Sequence, residues 1–380
     1  MKILFLTSSM EGGGAERVAA LLSSAWGARG DDVTLIPTFS GRGGCAFPLS
    51  DSVQLEFLSD LVGNGAGKFT RLRTLRALIR ARHPDVIISF LPHVNCAAIL
   101  AAWGLGIPVI ACERIFPPLF EHLLPRPYRL LRRLLYPAAA GLVGQTEPAS
   151  RWLRDCAPRS TVATIPNPVI LPLPATEPGP VPDAMLAKER KLILWAGRFE
   201  DQKRPELLID AFAEVAASAP DWDVAMLGDG PMRAAMREKV EAAELSDRIL
   251  LPGFASNLGE WYKRAELFVM TSKFEGFPNT LLEAMAHGIA SIAYDVPTGP
   301  AELSDGGRRI ALLPNSQQVV RLAAQMERLI SDGQAREAAA RAALEVRDAY
   351  SMDSIVAQWD ELFEMVRQGR TQRGGEHISS

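Results

Sequence analysis

The stretch LPLPATEPGPVP, residues 171–182, holds five prolines in twelve positions. Proline fixes φ and lacks an amide hydrogen, so the run can be neither the interior of a helix nor a central strand. It reads as a linker, assigned to residues 169–190. On both sides of it, short β-branched or leucine-rich runs alternate with helical patterns, the signature of parallel sheets wrapped by helices. Before the linker the candidate strands are residues 2–7, 33–38, 53–57, 86–90, 109–111, 141–144 and 162–165; after it they are 192–196, 223–227, 248–250, 267–271, 291–294 and 310–312. The expected organisation is an α/β protein with one unit over 1–168 and a second over 191–350. Open α/β sheets bind ligands beyond the carboxyl ends of their strands, so a cleft between two such sheets is the expected site. A helix over 351–367, with Ile355, Trp359 and Phe363 at helical spacing, is expected to return to the first unit, and 368–380 to be a disordered tail.

The chain has 380 residues, enough for two domains that each bury a core, and its 48% hydrophobic and 22% charged residues are ordinary globular usage. The N-terminal MKILFLTSSM is too short an apolar run for a signal sequence, lacks a small-residue cleavage site and leads into a helical pattern; it reads as a first strand. No run approaches the ~18 apolar residues of a membrane span. Cys45, Cys96, Cys112 and Cys156 lie far apart with no CxxC spacing, which fits a reducing cytoplasm. The net charge of −3 divides unevenly: residues 1–170 carry 18 Lys/Arg against 12 Asp/Glu, and the remainder 23 against 32. The halves are expected to face different partners.

Gly13 and Gly14, within Glu11-Gly12-Gly13-Gly14-Ala15-Glu16-Arg17, stand at a strand-to-helix turn, where backbone amides can approach a phosphate. A nicotinamide-binding fold would add GxGxxG spacing and an acidic residue closing the second strand; here that strand ends Pro37-Thr38-Phe39, which argues against one. In the second half, AGRFEDQKRPELL places Gly197, Arg198 and Lys203 just after a strand. Two cations on one loop suit a diphosphate, Arg as a planar fork and Lys as a point charge, although a solvated basic loop has the same spelling. FEGFPNTLLEAMAHG follows another strand, and Pro278 suits the first turn of a helix whose open amides lie near Asn279 and Thr280. Glu275 then falls in the loop before that helix and Glu283 in its second turn. Aimed at a cleft, one could accept from sugar hydroxyls and the other from a ribose; equally, Glu275 could cap the helix.

At these residues the chain resembles glycosyltransferase family 4, over nearly its whole length. The most specific segment is EGFPNTLLEAMAHG, followed by DVPTGPAEL at residues 295–303. GGAER, SFLPHVN, IPVIACER, GQTE, IPNPV, AGRFEDQKRPELLIDAF and LGDGP support it in order. The resemblance implies a GT-B fold, two Rossmann-like domains facing each other across a cleft, and retaining transfer from a nucleoside-diphosphate sugar without metal or cofactor. It implies that Arg198 and Lys203 neutralise the donor diphosphate, that Glu275 contacts the transferred sugar, and that Glu283 holds the ribose. Gly13, Gly14, Gly197, Gly276, Phe277, Asn279 and Thr280 would line the donor. His93, in SFLPHVN, would stand near the sugar or the acceptor. Glu113 and Arg114 are further acceptor-side candidates. Asp221-Trp222-Asp223 has the spelling of a metal-binding motif but is expected to be a turn before a strand. The chain departs from the family at Gly288-Ile289-Ala290, expected to alter only the approach to the next strand, and at Gly307-Arg308-Arg309-Ile310, which leaves the nucleotide open, with UDP the expectation.

Arg71, Arg73, Arg76, Arg80 and Arg82 crowd one expected helix, and LFEHLLPRPYRLLRRLLYP mixes apolar residues with Arg126, Arg129, Arg132 and Arg133. Such a mixture suits peripheral contact with an anionic membrane surface, on the inner face of the cytoplasmic membrane; an amphipathic helix with a solvated basic face has the same pattern. Nucleic acid is not expected, given the negative net charge and the absence of a recognition motif. The family branch resembled builds bacterial polysaccharides on lipid carriers, so the acceptor expected is a glycan on a polyprenyl diphosphate. Two other readings share the architecture: a UDP-sugar 2-epimerase, and a catalytically silent scaffold subunit.

Overall fold

A computed structural model describes residues 1–38, 44–63, 66–121, 124–174 and 179–376. Phe39, residues 122–123 of the expected basic helix, 175–178 of the expected linker and 377–380 of the expected tail lie outside the described residues. The chain divides into two compact units, residues 1–168 with 352–380, and residues 169–351.

The first unit is built on seven parallel strands: β1 (Lys2–Thr7), β2 (Asp32–Pro37), β3 (Val53–Leu55), β4 (Val86–Phe90), β5 (Val109–Cys112), β6 (Gly141–Gly144) and β7 (Thr161–Thr164), in the order β3-β2-β1-β4-β5-β6-β7. Runs such as VIISF in β4 are buried throughout, as strands covered on both faces must be. One face packs Phe5, Trp26 and Phe90 against the helix Met352–Glu376, whose Ile355, Trp359, Leu362 and Phe363 are all buried. Trp26 and Trp359 meet edge to face, with ring centroids 5.6 Å apart. That helix runs to Glu376 rather than ending at Arg367, so the disordered tail expected from 368 is corrected through 376. The sequence beyond Arg367 is polar and carries Gly369, Gly374 and Gly375, each of which weakens a helix, yet the helix continues from a part nucleated by a buried apolar face.

The second unit has six parallel strands, β8 (Lys191–Ala196), β9 (Trp222–Leu227), β10 (Ile249–Gly253), β11 (Leu267–Met270), β12 (Ala290–Tyr294) and β13 (Ala311–Leu313), ordered β10-β9-β8-β11-β12-β13. Trp222 and Asp223 lie inside β9, not in a turn. Asp223 is buried against the guanidinium groups of Arg190 and Arg248, the latter at 2.9 Å, so its carboxylate is committed to structure. In each sheet the strand order reverses once, between β1 and β4 and between β8 and β11. The connections leave the sheet in opposite directions there, opening a crevice at the carboxyl edge.

Candidate functional site

The reversal in the second sheet brings together the loops after β8 and β11. Thr271 directly follows β11; its Oγ1 donates to the Lys203 carbonyl at 2.7 Å and accepts from Trp195 Nε1 at 3.0 Å. The Gln202 carbonyl accepts from the Lys273 amide at 2.7 Å, while its Nε2 donates to the Phe274 carbonyl at 2.9 Å. Arg204, held at φ 46°, donates from its guanidinium to the carbonyls of Thr271 and Ser272, both at 2.8 Å. This stitching sets Lys203 Nζ 2.5 Å from Glu275 Oε1, with the Glu275 side chain 7% and the Lys203 side chain 19% exposed. The Thr298 hydroxyl donates to the Glu275 carbonyl, tying the DVPTGP loop to the same place. Gly299, at φ +99°, must lack a side chain because a Cβ would sit 2.5 Å from Pro278 Cδ.

Arg198 projects from the same loop with its side chain 75% exposed, 2.9 Å from Glu200. Its neighbour Gly197 is gripped from behind: a Cβ on Gly228, at φ +129°, would lie 1.9 Å from the Gly197 carbonyl oxygen. The helix Asn279–Ala286 starts after Pro278, with Gly276, Asn279 and Thr280 half-buried and Phe277 in the core. Glu283 lies in its second turn but is itself buried. It accepts from the Tyr262 hydroxyl at 3.2 Å, and His287 stacks on the Tyr262 ring 5.0 Å away. The two glutamates therefore both lie beneath the surface, one held by a cation and one by a phenol. Arg308 and Arg309 are engaged with Asp305 and Glu345. The sequence missed Arg204, Thr271, Gln202 and Thr298; the one local signal was Arg204 standing before Pro205.

In the first unit the reversal places His93, in the first turn after β4, 3.1 Å from Ser8 Oγ at the end of β1. Burial lowers the imidazole below its ordinary value of 6.5. Gly13 and Gly14 are exposed at the start of the helix Gly14–Ala28. The Glu16 carboxylate already occupies that turn: a Cβ on Gly13 would lie 2.3 Å from Glu16 Oε2, and Glu16 accepts from Ser9 Oγ at 3.0 Å.

Three acceptor-side expectations are corrected. Glu113 is sealed in the interior, where Tyr136 Oη donates to it at 2.6 Å, Arg132 lies at 3.7 Å, and burial raises its carboxyl above the usual range. Arg114 is equally buried, over the Phe90 ring and donating to Asn167, with burial lowering its guanidinium to about 10. Arg132 belongs to this interior network and stacks over Trp152, so it is not part of a docking surface. On its helix, Arg126–Leu135, Arg126 and Arg133 are exposed and Arg129 half-buried, and Leu130 and Leu134 stand out at 60% and 64% exposure. On the helix Lys68–Arg82, Arg71, Arg76 and Arg82 are spent on bonds to Thr38, to Ala101 and Trp103, and to Thr34, Gln54 and Glu56. Arg73 and Arg80 remain on the exposed face. Among the described residues no helix is long and apolar enough to cross a membrane, and no cluster of His, Cys, Asp and Glu could hold a metal ion.

Two parallel-sheet α/β units, each reversing its strand order once, are the architecture of the GT-B class of glycosyltransferases. Residues 13–168 match the family "Glycosyl transferase 4-like domain" and residues 182–346 match "Glycosyl transferases group 1". The chain belongs to this glycosyltransferase family and is an enzyme of that class. It is 25% identical over 365 residues to the amylovoran biosynthesis glycosyltransferase AmsD of Erwinia amylovora, covering 95% of this chain and 99% of that one. It is 25% identical over 377 residues, 97% of this chain and 99% of the other, to a Campylobacter jejuni alpha-1,4-N-acetyl-D-galactosaminyltransferase named for an undecaprenol-diphosphate-linked glycan. An exopolysaccharide phosphotransferase of Streptomyces coelicolor is 34% identical over 60% of this chain, but the match spans only 23% of that relative's length. Among solved structures, Anabaena HepE in complex with UDP superposes with a TM-score of 0.76 at 17% identity, over 96% of this chain and all of that one.

Proposed function

We propose that this chain transfers a hexose or N-acetylhexosamine, with retention of anomeric configuration, from a nucleoside-diphosphate sugar to a growing glycan. The donor is a UDP-sugar, and the acceptor is a bacterial polysaccharide precursor carried on polyprenyl diphosphate. The observation that carries the reading is the Lys203–Glu275 pair at the reversal point of the second sheet, beside the exposed Arg198. Departure of a nucleoside diphosphate builds negative charge on the leaving oxygen, and fixed cations at that position stabilise it without reorganisation. Lys203 and Arg198 take that part, so no divalent ion is required. Glu275 both holds Lys203 and accepts from a sugar hydroxyl. Glu283 takes the ribose, with Tyr262 holding its carboxylate, and Gly197, Gly276, Phe277, Asn279 and Thr280 shape the donor site. His93 is assigned to the sugar or the acceptor, and Gly13 and Gly14 to the donor phosphates.

The UDP complex of HepE supports the donor class, and the undecaprenol-linked substrate in the Campylobacter relative's name supports the acceptor class. A peripheral position on the inner face of the cytoplasmic membrane follows from such an acceptor, with Arg126, Arg129, Arg133, Leu130 and Leu134 facing anionic lipid. The test is a panel of nucleotide sugars offered with and without lipid-linked glycans. Release of UDP with a lengthened glycan is the expected result. An epimerised donor with no UDP release would indicate the isomerase reading, and no turnover of any donor the scaffold reading.

A further inference from the structure

The first unit contains a cavity of about 200 Å³ between the helices Lys68–Arg82, Pro92–Ala102 and Arg126–Leu135. All strands of this sheet run parallel, so the helices returning between them start at its carboxyl edge. Each lines the cavity with a polar residue in its first turn and an apolar one about a turn later: Lys68 then Leu72, His93 then Ala97, Tyr128 then Leu131. The polar three cluster, Lys68 Nζ lying 5.6 Å and the His93 ring 6.4 Å from the centre of the Tyr128 ring. Elsewhere the lining is aliphatic, apart from the Cys96 thiol and the pair Arg71 and Thr38, bonded to each other at 2.8 Å. The cavity thus joins a hydrogen-bonding cluster, with the Lys68 ammonium as its cation, to a lining of Leu58, Leu72, Leu75, Ala97, Leu100 and Leu131 that offers hydrocarbon alone.

We propose that this cavity holds the first carbons of a prenyl chain whose phosphate or diphosphate sits among Lys68, His93 and Tyr128, so that the lipid end of the acceptor is bound in the first unit. A sugar would leave its hydroxyls unpaired against the leucines, and a free phosphate would leave the apolar lining uncovered. The inference rests on the lipid-linked acceptor proposed above and adds where its chain is held.

Calorimetric titration of the full chain with geranyl diphosphate, and separately with inorganic diphosphate, tests it. Geranyl diphosphate is expected to bind at least about tenfold more tightly, the worth of two buried methylene groups. Ala97→Trp, which fills the cavity, is expected to remove that advantage and leave inorganic diphosphate binding unchanged; Leu131→Trp serves the same purpose should the first variant misfold. Lys68→Gln is expected to weaken both ligands. Equal affinity for the two probes, or a filled cavity that still prefers geranyl diphosphate, would overturn the proposal. Transfer assays separate it from the acceptor reading. If the parent elongates a lipid-linked glycan and Ala97→Trp leaves the KM for it unchanged, the cavity assignment falls alone. If geranyl diphosphate binds as expected and no lipid-linked glycan is a substrate, the acceptor reading falls and the cavity stands.

Discussion

Replacing Lys203 with Ala separates a catalytic cation from a structural buckle. Its ammonium lies 2.5 Å from a Glu275 carboxylate that is 7% exposed at the side chain, so the substitution leaves an unpaired charge almost out of water. Removing one partner of a buried pair costs about 3 kcal/mol, which for a unit of this size lowers Tm by roughly 6–12 °C. If Lys203 also faces the leaving diphosphate, kcat falls about 10²-fold or more on top of that. The double variant Lys203→Met with Glu275→Gln divides the two effects, because two neutral side chains of similar size relieve the buried charge. Its Tm should recover most of the loss while kcat stays low. The assays are scanning calorimetry and UDP release at saturating donor, below the lowered Tm. A double variant that regains activity together with stability would refute the reasoning, for the pair would then only hold two loops together.

Arg198→Ala should lower kcat about 10²-fold with Tm unchanged, because its mostly exposed side chain contributes little to the fold; a loss of Tm with full activity would reverse that assignment. Chelation with EDTA should leave turnover as it was, and activity lost to EDTA and restored by Mg²⁺ or Mn²⁺ would contradict the use of Lys203 and Arg198 as the charge-stabilising groups. Changing Arg126, Arg129 and Arg133 to Gln with Leu130→Ser and Leu134→Ser should release the protein from anionic vesicles in a sedimentation assay, whereas Arg132→Gln should instead lower Tm by exposing Glu113 to a lost partner; unchanged sedimentation of the first variant removes the membrane contact. Because burial depresses His93, the unfolded chain takes up its proton first, so the stability tied to its neutral form is full above the ordinary pKa of 6.5 and is lost as pH falls toward the folded value. Tm measured against pH should fall less steeply on acidification in His93→Gln than in the parent, and parallel curves would show that His93 does not contribute.

The α/β architecture was legible because strands buried on both faces, such as β1, β4, β8, β11 and β12, are short continuous apolar runs that alternate with helical patterns around a proline-rich break. Glu275 and Lys203 were legible as separate loop residues, each just beyond a strand. Their contact was not, because it depends on which strands are neighbours: β8 and β11 are adjacent in the sheet but more than seventy residues apart in the chain. Arg204 and Thr271 were missed for the same reason, since each is defined by backbone carbonyls or hydroxyls of the other loop. The helix Arg126–Leu135 misled more thoroughly. Its pattern suggested arginines outward, but Arg132 turns inward to Glu113 and Trp152 while Leu130 and Leu134 remain outside. The partners that make a buried arginine tolerable, Glu113 just after β5 and Trp152 on the helix Glu147–Cys156, are announced by no local spacing.

The most direct test of the central claim is proton NMR of the anomeric region during turnover of a UDP-α-sugar, recorded for the parent and for Lys203→Ala. Release of UDP with the transferred sugar in the α configuration from the earliest spectra, and its suppression by about 10²-fold in the variant, is the predicted result. A product appearing first as the β anomer, or equal rates in parent and variant, would contradict the account.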